Sequence, residues 1–193
     1  MKSFSHYQAR LAEKLTAERF AHSLAVAQTA LALAQVHGVP PGLAYLAGLL
    51  HDYARDLPDA ELLELAKKAG LPPDPMKDAI PELWHGSVGA FLVEKELGLK
   101  HPALLQAIRD HILGSTAMTG LDKVVFLADM IEPHRDFPGV EVLREKAYRD
   151  LDEAMLAAFD QSIQYLLRKR SLIHPLMIDA RNRLLMTFNT EGR

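Results

Sequence analysis

Between residues 43 and 53 the chain reads LAYLAGLLHDY, apolar on almost every side until it closes on His51 and Asp52. A helix without a polar face cannot lie on a surface, so this segment predicts a central buried helix with the rest of the fold wrapped around it. Its apolar part, residues 43–50, is far too short to span a bilayer. The surroundings read as further helices. Leu11, Leu15 and the run 17–36 are rich in Ala, Leu and Gln, with apolar residues recurring at three and four. GVPPG at 38–42 stops that helix and starts the central one, proline suiting a first turn.

Asp56-Leu57-Pro58 ends the central helix, and 59–69 predicts a surface helix of mixed charge. The segment LPPDPMKDAIP (71–81) carries four prolines and predicts a loop or a short strained helix. Helices are expected over 83–97, 102–113, 121–132, 140–149, 151–169 and 176–188, with 189–193 frayed. No stretch alternates with period two for long enough to suggest a sheet. The expectation is an all-α helical bundle, one domain over 1–193, with the helices of 153–188 packed on a core that carries the motifs.

Six polar residues disturb this apolar pattern. His22 shares a helix face with Ala25, Val26 and Thr29; His85 lies with Val88 and Leu92; His111 lies three after Ile108. Asp129 sits inside VVFLADMI, and a carboxylate is almost never buried unpaired. A lone core histidine is ordinarily satisfied by a hydrogen bond. The doublet His51-Asp52 resists that explanation, because an aspartate opposes the dipole at a helix C-terminus. Together, four histidines and two carboxylates form a set of nitrogen and oxygen ligands. Six such groups suit two metal ions sharing a carboxylate.

The remaining histidines read as ordinary. His37 lies near a helix end, His101 precedes Pro102, and His6 and His174 sit in polar or loop surroundings. His134, in the turn EPHRDFPG beside Asp129, is kept as a pocket residue. Trp84 reads as core. The chain has no cysteine, which excludes disulfides and thiolate metal sites. A net charge of −3 argues against broad nucleic-acid binding. The start, MKSFSHYQAR, lacks the apolar core of a signal peptide, so a cytoplasmic protein without a membrane anchor is expected.

The order H…HD…H…H…D on a helical chain resembles the HD superfamily of metal-dependent phosphohydrolases. Arg19-Phe20-Ala21-His22-Ser23, AGLLHDYARDLP (47–58), Trp84-His85-Gly86 and LDKVVFLADMIEPHRDFPGVEVLRE (121–145) are similar to the bacterial YqeK-type symmetrical bis(5′-nucleosyl)-tetraphosphatases. The likeness runs over about 14–152, and ADMIEPHRDFPGVE around Asp129 is its most specific part. The resemblance implies a dinuclear centre, of iron or alternatively manganese, cobalt, nickel or zinc, that hydrolyses diadenosine tetraphosphate to two ADP. It places His22, His51, Asp52 and Asp129 on one metal. Asp52 bridges to a second, held also by His85 and His111. That family usually has a threonine after the last of these histidines; here Ile112 follows.

Cleaving a phosphoanhydride needs an activated water and cations that gather the phosphates. Arg135, Arg55 and Arg19 are the candidates for the clamp, with His134 beside them. Asp52, Arg135 and Glu132 are the candidates for catalysis, although Glu132, three after Asp129, could instead orient a ligand or pair with Arg135. Asp56 could likewise support a ligand. The partner expected is a small dinucleoside polyphosphate, and the apolar run YLLRKRSLIHPLMI (165–178) could pair two copies or cover the core. Competing readings are an HD phosphohydrolase for another nucleotide and a nucleotide-binding regulator, the latter expecting a missing ligand residue.

Overall fold

A computed structural model describes residues 3–191, with only the backbone given for 189–191. Among the described residues there are helices and no strand. In chain order they are α1 (Phe4–Ala12), α2 (Ala17–Val36), α3 (Pro41–Leu50), α4 (Asp59–Lys68), α5 (Pro75–Ala79), a 3-10 turn (Pro81–Trp84), α6 (His85–Leu97), α7 (Pro102–Asp110), α8 (Gly120–Ile131), α9 (Val140–Arg149), α10 (Leu151–Lys169) and α11 (Pro175–Glu191). The expected all-α bundle is the observed one. None of these helices is long and apolar enough to cross a membrane.

Helix α3 is the centre. Every residue from Ala44 to Leu50 is buried, against α2, α7 and α8. The α2–α3 contact is close because Gly48 faces it: an added Cβ would meet Ala30 Cβ at 3.1 Å and the Val26 carbonyl at 3.2 Å. Helices α6 and α7 pack on each other in the same way at Gly86, where a Cβ would lie 2.9 Å from the Arg109 carbonyl. Side-chain caps fix where several helices begin. Thr16 starts α2, Asp74 starts α5, Asp150 starts α10, and Thr119 with Asp122 forms a reciprocal capping box on α8.

Three boundaries differ from the sequence expectation, and they matter to the site. The central helix stops at Leu50, before the His-Asp doublet, because tight turns replace its last bonds: Tyr53 N–H donates to the Leu50 carbonyl and Arg55 N–H to the Asp52 carbonyl. Helix α7 ends at Asp110, one residue short of His111. The proline-rich 71–81 segment forms the short α5, then the 3-10 turn delivers His85 as the first residue of α6. The last helix continues through residues 189–191, expected to fray; 192 and 193 lie outside the described residues.

Helices α10 and α11 pack on each other, and α10 also covers α8 and α9. His174, read from sequence as a loop residue, is nearly buried and bonds Asp74 at 2.9 Å, joining the segment before α11 to the start of α5. Trp84 is core, its Nε1–H donating to Asp78.

Candidate active site

Five helices converge on one cavity. The second turn of α2 brings His22, the exit of α3 brings His51 and Asp52, the start of α6 brings His85, the exit of α7 brings His111, and the last turn of α8 brings Asp129. The structure therefore gathers all six residues singled out from the sequence. His22 Nε2 lies 3.0 Å from Asp129 Oδ1, and His51 Nε2 lies 3.8 Å from the same oxygen. Asp52 stands between two pairs of imidazoles. Its Oδ2 faces His51 Nε2 at 3.5 Å and His22 Nε2 at 4.0 Å. Its Oδ1 faces His85 Nε2 at 3.1 Å and His111 Nε2 at 3.7 Å.

Each imidazole is held from behind by its other nitrogen. His51 Nδ1 donates to the Gly48 carbonyl at 2.7 Å, His85 Nδ1 to Glu82 at 2.6 Å, and His111 Nδ1 to Ile108 at 2.8 Å. All three acceptors lie three residues upstream, within a last helical turn or the 3-10 turn, where carbonyls lack their usual partners. A carbonyl only accepts, so Nδ1 carries a proton, and in the neutral ring each Nε2 keeps its lone pair toward the centre of the cluster. His22 Nδ1 faces Glu132 Oε1 at 3.3 Å, across 110 residues of sequence.

This arrangement asks for a cation. His85 Nε2 and His111 Nε2 are 3.1 Å apart with lone pairs facing each other. His22 Nε2 and His51 Nε2 are buried without a hydrogen-bond partner. Burial opposes a charge on His51, yet the carboxylates of Asp52 and Asp129 outweigh it and push its pKa up to about 9. Burial would also raise Asp52, but His51, His111 and His85 hold it well below the usual carboxylate range. Asp129 is lowered too: His22, His51 and Arg135 outweigh its burial. His111, fully buried, is pulled down. His22, His51 and Asp129 present ligand atoms within 4.8 Å of one another, as do His51, Asp52 and His111. Nitrogen and oxygen donors in such groups fit first-row divalent ions.

The cavity, about 390 Å³, is also lined by Arg19, Arg55 and Arg135. Arg135 is pinned twice to one residue: Nε donates to the Asp129 carbonyl at 2.8 Å and Nη2 to Oδ1 at 2.5 Å. Arg19 reaches Asp52 Oδ2 at 3.3 Å, and Arg55 pairs with Glu82 at 2.6 Å on the rim. Other expected residues are placed elsewhere. Glu132 is 2% exposed and lies behind His22, not on the cavity wall; its Oε2 accepts from the backbone and ring of His134. That pairing keeps His134 outside the cavity, its side chain 74% exposed. Asp56 caps the start of α2 by accepting from Thr16 N–H at 2.7 Å.

Sequence reading missed Arg144. Its guanidinium donates to the carbonyls of Ile131, Glu132 and Arg135, so it holds the turn that carries Arg135. An arginine on a charged surface helix gives no signal of this in the sequence.

A helical bundle with a His-Asp doublet at its centre, joined by three further histidines and an aspartate, defines the HD-domain class. Residues 19–134 match the HD domain, and the chain belongs to that family. Among proteins of known sequence it is similar to the symmetrical bis(5′-nucleosyl)-tetraphosphatase of Bacillus subtilis, 37% identical over 84% of this chain and 87% of the relative. The protein of the same description from Halalkalibacterium halodurans is 38% identical over 89% of this chain and 91% of its own. A crystal structure from Clostridium acetobutylicum, described as a predicted HD superfamily hydrolase involved in NAD metabolism, superposes with a TM-score of 0.94 at 35% identity. It covers 97% of this chain and 99% of that one.

Proposed function

We propose that this protein is a metal-dependent phosphohydrolase that cleaves diadenosine tetraphosphate symmetrically into two ADP. The observation that carries the metal chemistry is Asp52, one oxygen toward His22 and His51 and the other toward His85 and His111. The relatives' descriptions support the substrate. In this reading two ions are held, one by His22, His51, Asp52 and Asp129 and one by Asp52, His85 and His111. Iron is the first choice, with manganese, cobalt, nickel and zinc compatible with the same donors. Bound metal supplies Lewis acidity, which acidifies a water at neutral pH and offsets charge on phosphoryl oxygens.

The chain's own groups do the rest. Four backbone or carboxylate acceptors hold the neutral imidazoles in one tautomer, the one that leaves Nε2 free for a metal. Arg135 and Arg19 place guanidinium N–H donors at the cavity wall, where the bridging phosphates of the substrate would lie. A guanidinium has five such donors, and Arg135 spends two on Asp129. Arg55, on the rim, extends the clamp for the outer phosphates. Glu132 is a positioning residue, acting through His22. The regulator reading expects an absent ligand, and all six residues are in place. A cytoplasmic location suits such a substrate.

Two measurements test this. Incubating manganese- or iron-loaded protein with diadenosine tetraphosphate should yield ADP alone, and a chelated control should yield nothing. AMP plus ATP would reject symmetrical cleavage; no turnover would return the substrate to the wider set of nucleotides. Glu132→Ala should weaken metal affinity about 10–100-fold, with Glu132→Gln intermediate because its amide oxygen can still accept from His22. If saturating metal left Glu132→Ala slow and its pH–rate profile displaced, Glu132 would be a proton-transfer group instead.

A further inference from the structure

Beside the metal cavity lies a larger one of about 770 Å³, and the two share Glu82, Ile112, Met130, Arg135, Phe137 and Ser162. None of the six candidate metal ligands lines it. One wall is α10, where Ser162, Tyr165 and Leu166 fall on a single helix face at spacings of three and four. The opposite wall comes from Ile80 and Leu83, and the segment before α11 adds Leu172 and His174. The His174–Asp74 bond ties the segment before α11 to the start of α5. Tyr165 and Leu172 are 53% and 58% exposed, large apolar surfaces turned toward a concave site. A cavity of this size, mostly apolar with a few polar groups, is the usual shape of a small-molecule site. The metal cavity also carries charge from Arg19 and Arg55, the latter paired with the shared Glu82.

We infer that this cleft takes one nucleoside of the substrate, its base stacked on Tyr165, and that the second nucleoside is not gripped. The inference rests on the phosphohydrolase reading above. A nucleobase has two apolar faces and a polar edge; the Tyr165 ring meets a face, while Ser162 and Arg168 reach polar groups of the ribose or base. Arg135 stands where the cavities join, so the first phosphates pass it on their way to the metal centre. The remaining phosphates then run toward Arg19 and Arg55, and the far nucleoside emerges into solvent. Ile112 adds an apolar side chain to the junction. Lys169 Nζ lies 5.8 Å from the Tyr165 ring centroid and adds positive charge near the stack.

The test separates this inference from the hydrolase reading. ADP and inorganic pyrophosphate, a probe without a nucleoside, are titrated calorimetrically into manganese-loaded wild type, Tyr165→Ala and Tyr165→Phe. Tyr165→Ala should weaken ADP about tenfold, a typical loss for one base–aromatic stack, and leave pyrophosphate unchanged. Tyr165→Phe should restore ADP binding. Unchanged ADP binding in Tyr165→Ala, or equal losses for both probes, would overturn the stacking site. For the ungripped end, wild type should hydrolyse adenosine 5′-tetraphosphate and diadenosine tetraphosphate with kcat/KM values within about threefold. A large preference for the dinucleotide would overturn one-ended recognition. Turnover of neither would reject the hydrolase reading, while the binding titrations would still judge the cleft.

Discussion

Asp52→Ala is expected to abolish hydrolysis, lowering kcat/KM by at least about 10³-fold, and to strip bound metal while leaving helical content intact. The size follows from geometry. Among the described residues no other side chain is ion-paired with both imidazole pairs, so one truncation takes an oxygen from each. Folding should survive because the groups left behind can adjust. Losing one partner of a buried ion pair is ruinous when the other must stay charged, as an arginine must; Arg19, which also loses Asp52, is 32% exposed and keeps its charge in water. Burial favours a neutral His51, and it is Asp52 and Asp129 that raise its pKa against that burial. Without Asp52 the imidazole can remain buried and neutral. The measurements are metal content, circular dichroism, and thermal midpoints with and without added manganese. Wild type should gain stability with metal and the variant should gain little, since a ligand stabilises only the state it binds. Near-normal turnover by Asp52→Ala with metal retained would remove the carboxylate from the centre.

How much of this was legible in the sequence depends on the range of the interaction. Helix positions were legible, because apolar spacing and the proline and glycine breaks are local properties. The six candidate ligands were legible too, because each is a polar residue on a stretch otherwise committed to the core. Their setting was not. Read as members of helices, His51 and Asp52 would diverge; the chain instead leaves the helix at Leu50, and tight turns bring Asp52 beside His51. Three of the histidines sit at helix boundaries, where upstream carbonyls are free to hold Nδ1, and boundaries are what periodicity reads least well. The pairing of Glu132 with His22 depends on how α8 crosses α2, which no local pattern encodes. It also explains why Glu132, expected among catalytic groups, faces away from the cavity. The apolar cleft was half legible: the run 165–178 stands out as apolar in the sequence, but that it shares a cleft with the proline-rich segment depends on tertiary packing.

Arg135→Ala is expected to lower kcat/KM for diadenosine tetraphosphate by about 10²–10³-fold with metal content unchanged, the usual cost of deleting one preorganised donor aimed at developing charge. A second explanation predicts a different pattern. Arg135 donates to Asp129 through both its backbone carbonyl and its Oδ1, so the guanidinium could serve only to hold that carboxylate in place. Were that its whole role, the variant would bind metal poorly and recover its rate when metal was raised. Three observations favour a role at the phosphates. The side chain lines the cavity and is 37% exposed, which a purely structural clamp for a partly buried carboxylate does not require. It lies at the junction with the apolar cleft, lining both cavities. Arg144 spends three bonds on the neighbouring turn, so the backbone under Arg135 is fixed independently of its guanidinium. Arg135→Lys sharpens the comparison: lysine keeps the charge but loses the planar fork, and should recover part of the rate without the affinity that paired N–H donors give. Full recovery of Arg135→Ala by excess metal would assign the residue to Asp129 alone.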